Sequence, residues 1–249
     1  MGSYQNIAPY YSRIMSHVDY TMWAGLLLTY MDEIKHTPQN LLELAGGDGK
    51  LAHILKEYVS KYTLTDLSSE MLAQSTHEDK VECDMRDIPF DNSSLDTLLT
   101  IYDSVNYLVE IGDLELHFKE AARVLSQSGV YIFDSVTQVN CKTYFQDYLD
   151  FEEHDDADII REGWYDDQSQ IQMTRFIIYQ KDKVAVSDKQ SSQGIQKIEE
   201  THQQKIWSED EIRLAAENSG FKILNKYCGF TTELADEKSE RIHWVLKKI

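Results

Sequence analysis

Residues 41–55 read LLELAGGDGKLAHIL, and two carboxylates there, Glu43 and Asp48, stand around three glycines, Gly46, Gly47 and Gly49. The glycines fall where a short apolar run meets a helical pattern. Lacking a Cβ, they let a ligand come close to the backbone. Gly47-Asp48-Gly49-Lys50-Leu51-Ala52 satisfies G-x-G-x-x-A, and Asp66 follows about 20 residues on, the arrangement of a dinucleotide fingerprint. A pyrophosphate would be held by the positive end of the following helix. Glu43 and Asp48 would repel it, so the motif asks for a different ligand.

S-adenosylmethionine (SAM) carries no phosphate. It offers a sulfonium, an ammonium group, a carboxylate, a ribose and an adenine. Acids near the loop suit its cations. Asp66, at the end of the next strand, can accept both ribose hydroxyls. Asp84, at the end of the third, can accept the adenine amine, with the Met85 N–H at a ring nitrogen. A side chain at Gly47 is expected to push the methionyl part away, with little change in melting temperature.

The elements that must position these groups follow from periodicity. Residues 1–35 read as helical, with Ile14, Val18, Trp23, Leu26, Leu27 and Tyr30 at helical spacing. Strands are predicted at 40–45, 62–67, 80–84, 95–103 and 130–136. Helices are predicted at 50–59, 68–75 and 113–125, the last closed by Ser-Gln-Ser-Gly. This alternation specifies a doubly wound, mostly parallel α/β sheet, whose ligands bind at the C-terminal edge. The five strand ends carry Glu43, Asp66, Asp84, Asp103 and Asp134. From 151 to 205 the rhythm becomes period two, which predicts an inserted antiparallel layer with a loop at 188–194. The α/β pattern then resumes. Ser208 and Glu211 form a capping box, Gly220 stops that helix, and strands at 221–230 and 241–249 complete a first domain made of residues 1–150 and 206–249.

At this point the segments resemble a known family. LLELAGGDG resembles the first motif of class I SAM-dependent methyltransferases, and LTDLSSEML their second. ECDMRDIPFDNSSLDTLLTIYDSVNYL is similar to their third and fourth regions, and EAARVLSQSGVYIFD to their turn and fifth strand. Ala45 stands where the family usually has its first glycine, and Ser128 precedes Gly129 where a Gly-Gly pair is common. The resemblance implies a seven-stranded Rossmann-like sheet that binds SAM and releases S-adenosyl-L-homocysteine. IAPYYSRIMSHVDYTMW, YDSVNYL and the late insertion are similar to bacterial YqeM-like enzymes and to sugar and glycine/sarcosine N-methyltransferases. In such enzymes the N-terminal helices close over the cofactor and the inserted sheet covers the substrate. By resemblance the cofactor site takes in Tyr11, Tyr20, Trp23, Glu43, Ala45, Gly46, Gly47, Gly49, Asp66, Leu67, Met71, Asp84, Met85, Arg86, Tyr102 and Asp103. Residues 151–205 are expected to choose the acceptor and leave cofactor binding to the rest.

Methyl transfer is an in-line displacement, driven by alignment and water exclusion. A general base is needed only for a protonated acceptor. The candidates are Tyr11, Asp103, Tyr107 and His154, with Asn106 beside the fourth strand. His17, His36 and His117 read as surface histidines.

The chain has 249 residues, enough for one large domain with an insertion, and a formal net charge of −19. That charge disfavours a general nucleic-acid binder. Three scattered cysteines (Cys83, Cys141 and Cys228) give no metal-ligand spacing. No apolar run suits a membrane span, and no secretory leader is evident, so a cytoplasmic monomer or homodimer acting on a small-molecule acceptor is expected. A catalytically silent SAM-binding regulator, a tRNA or rRNA methyltransferase and an NAD-dependent oxidoreductase remain alternatives.

Overall fold

The structure, a computed structural model, describes residues 4–181 and 196–249. Its strands are β1 (Asn40–Leu44), β2 (Lys61–Asp66), β3 (Lys80–Glu82), β4 (Leu95–Thr100), β5 (Leu125–Val136), β6 (Tyr148–Glu153), β7 (Ala157–Asp166), β8 (Ile171–Gln180), β9 (Gln196–Lys205), β10 (Phe221–Cys228) and β11 (Arg241–Lys248). Its α-helices are α1 (Ala8–Ile14), α2 (Tyr20–Glu33), α3 (Lys50–Leu55), α4 (Ser69–Gln74), α5 (Ile111–Val124), α6 (Gln138–Tyr144) and α7 (Glu209–Asn218).

β1 is buried along nearly its whole length, as a central strand covered on both faces must be. It pairs in parallel with β2 and β4, and the sheet runs β3-β2-β1-β4-β5-β11-β10. Only β11 runs against its neighbours. Strand order reverses between β1 and β4, so the C-terminal edge opens a crevice there. One face is packed by α5 and α7 through Leu114, Phe118, Ile212 and Ala216. The other is packed by α2 and α3 through Trp23, Leu27, Leu51 and Leu55.

Several boundaries differ from the sequence reading. The helical stretch over 1–35 is broken at residues 15–19, where the Asp19 side chain accepts the Met22 N–H at 2.9 Å and caps α2. β3 and β4 stop at Glu82 and Thr100, so Asp84 and Asp103 sit in the loops beyond them. β5 begins directly after α5 rather than after Ser-Gln-Ser-Gly. The bend lies inside the strand, with Ser128 at φ +65° and a register shift between Leu95 and Thr97. α6, capped by Thr137, has no counterpart in the periodicity, because only Cys141 of its seven residues is buried.

The second sheet is antiparallel, in the order β6-β7-β8-β9, and starts at Tyr148, just before the expected 151. The loop expected at 188–194 lies outside the described residues. Ala157, Ile159, Phe176 and Ile178 of this sheet form one apolar cluster with Ile7, Tyr10 and Ile14 around α1, and Arg13 pairs with Asp156 at 2.6 Å. The expectation that 151–205 leaves cofactor binding alone therefore meets a physical obstacle. Removing it would strip the buried face of the helix that carries Tyr11. No helix among the described residues is long and apolar enough to cross a membrane.

Candidate functional site

A cavity of about 400 Å³ opens at the C-terminal edge of the large sheet, beside β1, β2 and β4. Small-molecule sites run to roughly 300–1,000 Å³. The structure brings to its wall Tyr11, Tyr20, Trp23, Glu43, Ala45, Gly46, Gly47, Asp66, Leu67, Met71, Asp84, Met85, Arg86, Tyr102 and Tyr107. Asp48 and Asp113 are there too, and Arg86 is the one Lys or Arg side chain among the lining residues. Arg86 is already held by Asp84 at 2.6 Å and Asp113 at 2.9 Å. The wall is thus anionic. It suits a sulfonium and an ammonium group and repels a pyrophosphate, so the residues present fit SAM.

The glycine loop divides its labour. Ala45 and Gly47 take φ of +52° and +58°, the left-handed region that side chains rarely adopt. The Gly47 N–H donates to Asp66 Oδ2 at 2.8 Å, and the Ser68 N–H donates to Oδ1 at 2.8 Å. Asp66 thereby ties the loop to the end of β2 and keeps lone pairs for a ligand. Burial still holds its carboxyl above the ordinary range, against these N–H bonds. Gly46 is needed for packing, since a Cβ there would lie 2.6 Å from the Glu43 carboxyl carbon. Gly49 is away from the cavity wall. It begins α3 at φ +73°, where a Cβ would strike Leu64 and Ser75.

Glu43 is 3 % exposed and accepts the Tyr62 hydroxyl at 2.8 Å. Burial pushes its pKa up to about 8, from an ordinary 4.5. A raised folded-state value means the stability this group contributes is complete below about 4.5 and is lost as pH rises through about 8. Thermal melts from pH 6 to 9 should show this loss, and Glu43→Gln should remove it. A cationic ligand favours the ionised form. SAM affinity should therefore rise with pH toward 8 in the natural protein and stay flat in Glu43→Gln. An identical pH profile in both proteins would refute the assignment.

Asp103 and Asp134 depart from the row of strand-end acids. Asp134 lies inside β5, fully buried. Arg241 of β11 binds both carboxylates, Asp103 at 2.7 Å. Gln204 of β9 also donates to Asp103, and the Asp103 N–H donates to Asp134 at 2.9 Å. Burial holds both carboxyls above ordinary values, against the pull of Arg241. Asp103 is absent from the cavity wall, a correction to its expected roles as base and cofactor ligand. The triad instead shapes the backbone, because Tyr102 and Asp103 both sit at positive φ (+66° and +50°). Tyr102 is turned toward the cavity above the Arg241 guanidinium, 5.4 Å from its ring centre.

His154 pairs with Glu152 at 3.2 Å and is also away from the cavity. His117 is not a surface residue. It is fully buried and bridges the Met85 carbonyl and the Tyr131 hydroxyl. Burial pulls its pKa down to about 4. Its spacing from Leu114, Phe118 and Ala121 on one helical face signals this position. The sequence reading missed Tyr4, Ser104, Thr201 and Gln203 at the wall. Tyr4 precedes the first helix, and the last two come from β9, so no local motif marks them.

The methyltransferase domain family matches residues 42–133. YqeM of Bacillus subtilis, a candidate methyltransferase, is 26% identical over 98% of this chain and 97% of its own. A solved SAM-dependent methyltransferase of Clostridium acetobutylicum has the same fold at a TM-score of 0.81, with 21% identity over 99% of both chains. A sugar N-methyltransferase of a Streptoalloteichus species aligns at a TM-score of 0.76, with 15% identity over 98% of this chain and 94% of its own.

Proposed function

We propose that this chain, a class I SAM-dependent methyltransferase, transfers the methyl group to a small-molecule nitrogen or oxygen nucleophile held between the large sheet and β9. The anionic cavity wall carries this reading. Asp66 binds the ribose hydroxyls. Asp84 and the Met85 N–H meet the adenine. Glu43 and Asp48 face the methionyl ammonium. Tyr11, Tyr20, Trp23 and Tyr102 surround the reacting centre and exclude water. SAM supplies an electrophilic methyl carbon on a positively charged sulfur, so the protein needs only to align the acceptor and dispose of its proton.

The small-molecule acceptor is supported by the wall that Tyr4, Thr201 and Gln203 contribute, by the net charge of −19 and by likeness in fold to a sugar N-methyltransferase. A negative surface opposes phosphate backbones. The test is production of S-adenosylhomocysteine from SAM across a panel of alkyl amines, amino sugars, alcohols and carboxylic acids, with tRNA and rRNA as further arms. Turnover of a small molecule is expected. Turnover confined to RNA, with tight salt-dependent binding, would move the function to nucleic acid. SAM binding with no turnover in any arm would favour a silent SAM-binding regulator.

A further inference from the structure

Behind the tyrosine wall lies a hydrogen-bonded line of four side chains from three separate segments. Glu200 and His202 stand two residues apart on β9, hence on one face of that strand. His202 is 2 % exposed. Its Nε2 lies 2.7 Å from Glu200 Oε1, and its Nδ1 lies 3.2 Å from the Tyr107 hydroxyl. The Tyr107 and Tyr4 hydroxyls are 2.5 Å apart. Both tyrosines line the cavity, whereas His202 and Glu200 do not.

The polarity of the line follows from its far end. Glu200 accepts the backbone N–H groups of Tyr4 and Asn6 as well as His202. Burial pushes its carboxyl up, but these bonds outweigh burial and leave it below the ordinary range. An ionised carboxylate only accepts, so His202 carries its hydrogen on Nε2. The lone pair of the neutral ring is then on Nδ1, where Tyr107 donates. The Tyr107 oxygen in turn accepts from Tyr4, and the free lone pair of the Tyr4 oxygen ends the line at the cavity. The other charged groups acting on the tyrosines are Asp103, beyond β4, and Asp66, at the end of β2. The Phe176 ring of β8 packs against His202 at 5.2 Å.

We propose that Tyr4, Tyr107, His202 and Glu200 form a proton relay that removes the proton of an amine or hydroxyl acceptor as it is methylated. This rests on the methyl-transfer reading and narrows its acceptor. The acceptor lone pair forms the bond to the methyl carbon, and the carbon–sulfur electron pair stays with sulfur. The acceptor proton passes to the Tyr4 oxygen, the Tyr4 proton to Tyr107, and the Tyr107 proton to His202 Nδ1. Both tyrosines end neutral, and the positive charge lost at sulfur reappears as an imidazolium beside Glu200. No phenolate is needed, in keeping with burial, which holds both phenols far above their ordinary pKa. Tyr4 touches the acceptor. His202 and Glu200 act through the tyrosines, as positioning residues for the proton. A carboxylate acceptor, already ionised near neutral pH, has no proton to give and no use for the line.

The first measurement needs no acceptor. In the full chain labelled with ¹⁵N-histidine, the His202 proton is expected on Nε2, and Tyr107→Phe is expected to shift the Nδ1 resonance. A proton on Nδ1, or an Nδ1 resonance that Tyr107→Phe leaves in place, overturns the relay. The second uses the amine and alcohol arms of the acceptor panel. His202→Gln should lower kcat by about a hundredfold, the lower range for a general base, and erase the acidic limb of the pH–rate profile, with SAM affinity unchanged. Tyr107→Phe, which keeps the ring, should do the same. A loss under threefold in folded variants, or turnover of carboxylates alone, overturns the proposal. If no acceptor in the panel turns over, the transfer reading fails and the relay falls with it, whereas turnover with a proton on Nδ1 overturns the relay alone.

Discussion

Asp66→Ala should weaken SAM binding by about a hundredfold or more. Each hydroxyl bonded to an ionised carboxylate contributes roughly 1.5–3 kcal/mol, and a ribose presents two, so about 3 kcal/mol is the lower figure, or about two decades in Kd. A second loss adds to this one. Asp66 also accepts the Gly47 and Ser68 N–H groups at 2.8 Å each, so the variant frees the glycine loop that the methionyl part must meet. Asp66→Asn separates the two effects. Its amide oxygen can still hold one loop N–H while the charge is gone, and a loss of about tenfold is expected. Calorimetry with SAM and S-adenosylhomocysteine measures both variants. A Kd within threefold of the natural protein, in a folded Asp66→Ala, would remove Asp66 from the site.

Gly47→Val should abolish detectable SAM binding and lower the melting temperature as well. From sequence, only the ligand should have felt this change. The structure adds a cost to the fold, because φ at Gly47 is +58°. A side chain in the left-handed region costs roughly 1–2 kcal/mol, or about 2–8 °C in a chain of this size. A Cβ there would sit 3.0 Å from Met71 Cε and 3.7 Å from the Tyr11 ring, and both residues line the cavity. Gly47→Ala shares the strain but fills less space, so it should melt nearly as early while keeping weak binding. Full SAM affinity in Gly47→Val would mean that the loop does not approach the ligand.

The sequence alone determined the doubly wound sheet, the loop and the second sheet, and the reason is local. A buried parallel strand needs an unbroken apolar run, so Leu41, Leu42 and Leu44 mark β1. A left-handed turn with close packing needs glycine, so Gly47 and Gly49 mark the loop. The α/β rhythm breaks after residue 150, which marks the second sheet, and β8 falls on QMTRFIIYQ even though Phe176, Ile177 and Ile178 are buried in succession. Asp66 could be placed because it ends one such run.

Only the tertiary structure decided the partners of groups far apart in the chain. Asp103 reads as a strand-end acid until Arg241, 138 positions later, is found against it. That ion pair converts a candidate base into a support for Tyr102. The mutual reach of Tyr4, Tyr107 and His202 follows the same rule, since three segments meet only after α1 packs on the second sheet. Periodicity records which face of an element is buried. It carries no record of which distant side chain completes a buried charge or a hydrogen bond, because that match depends on distance and direction in the folded chain.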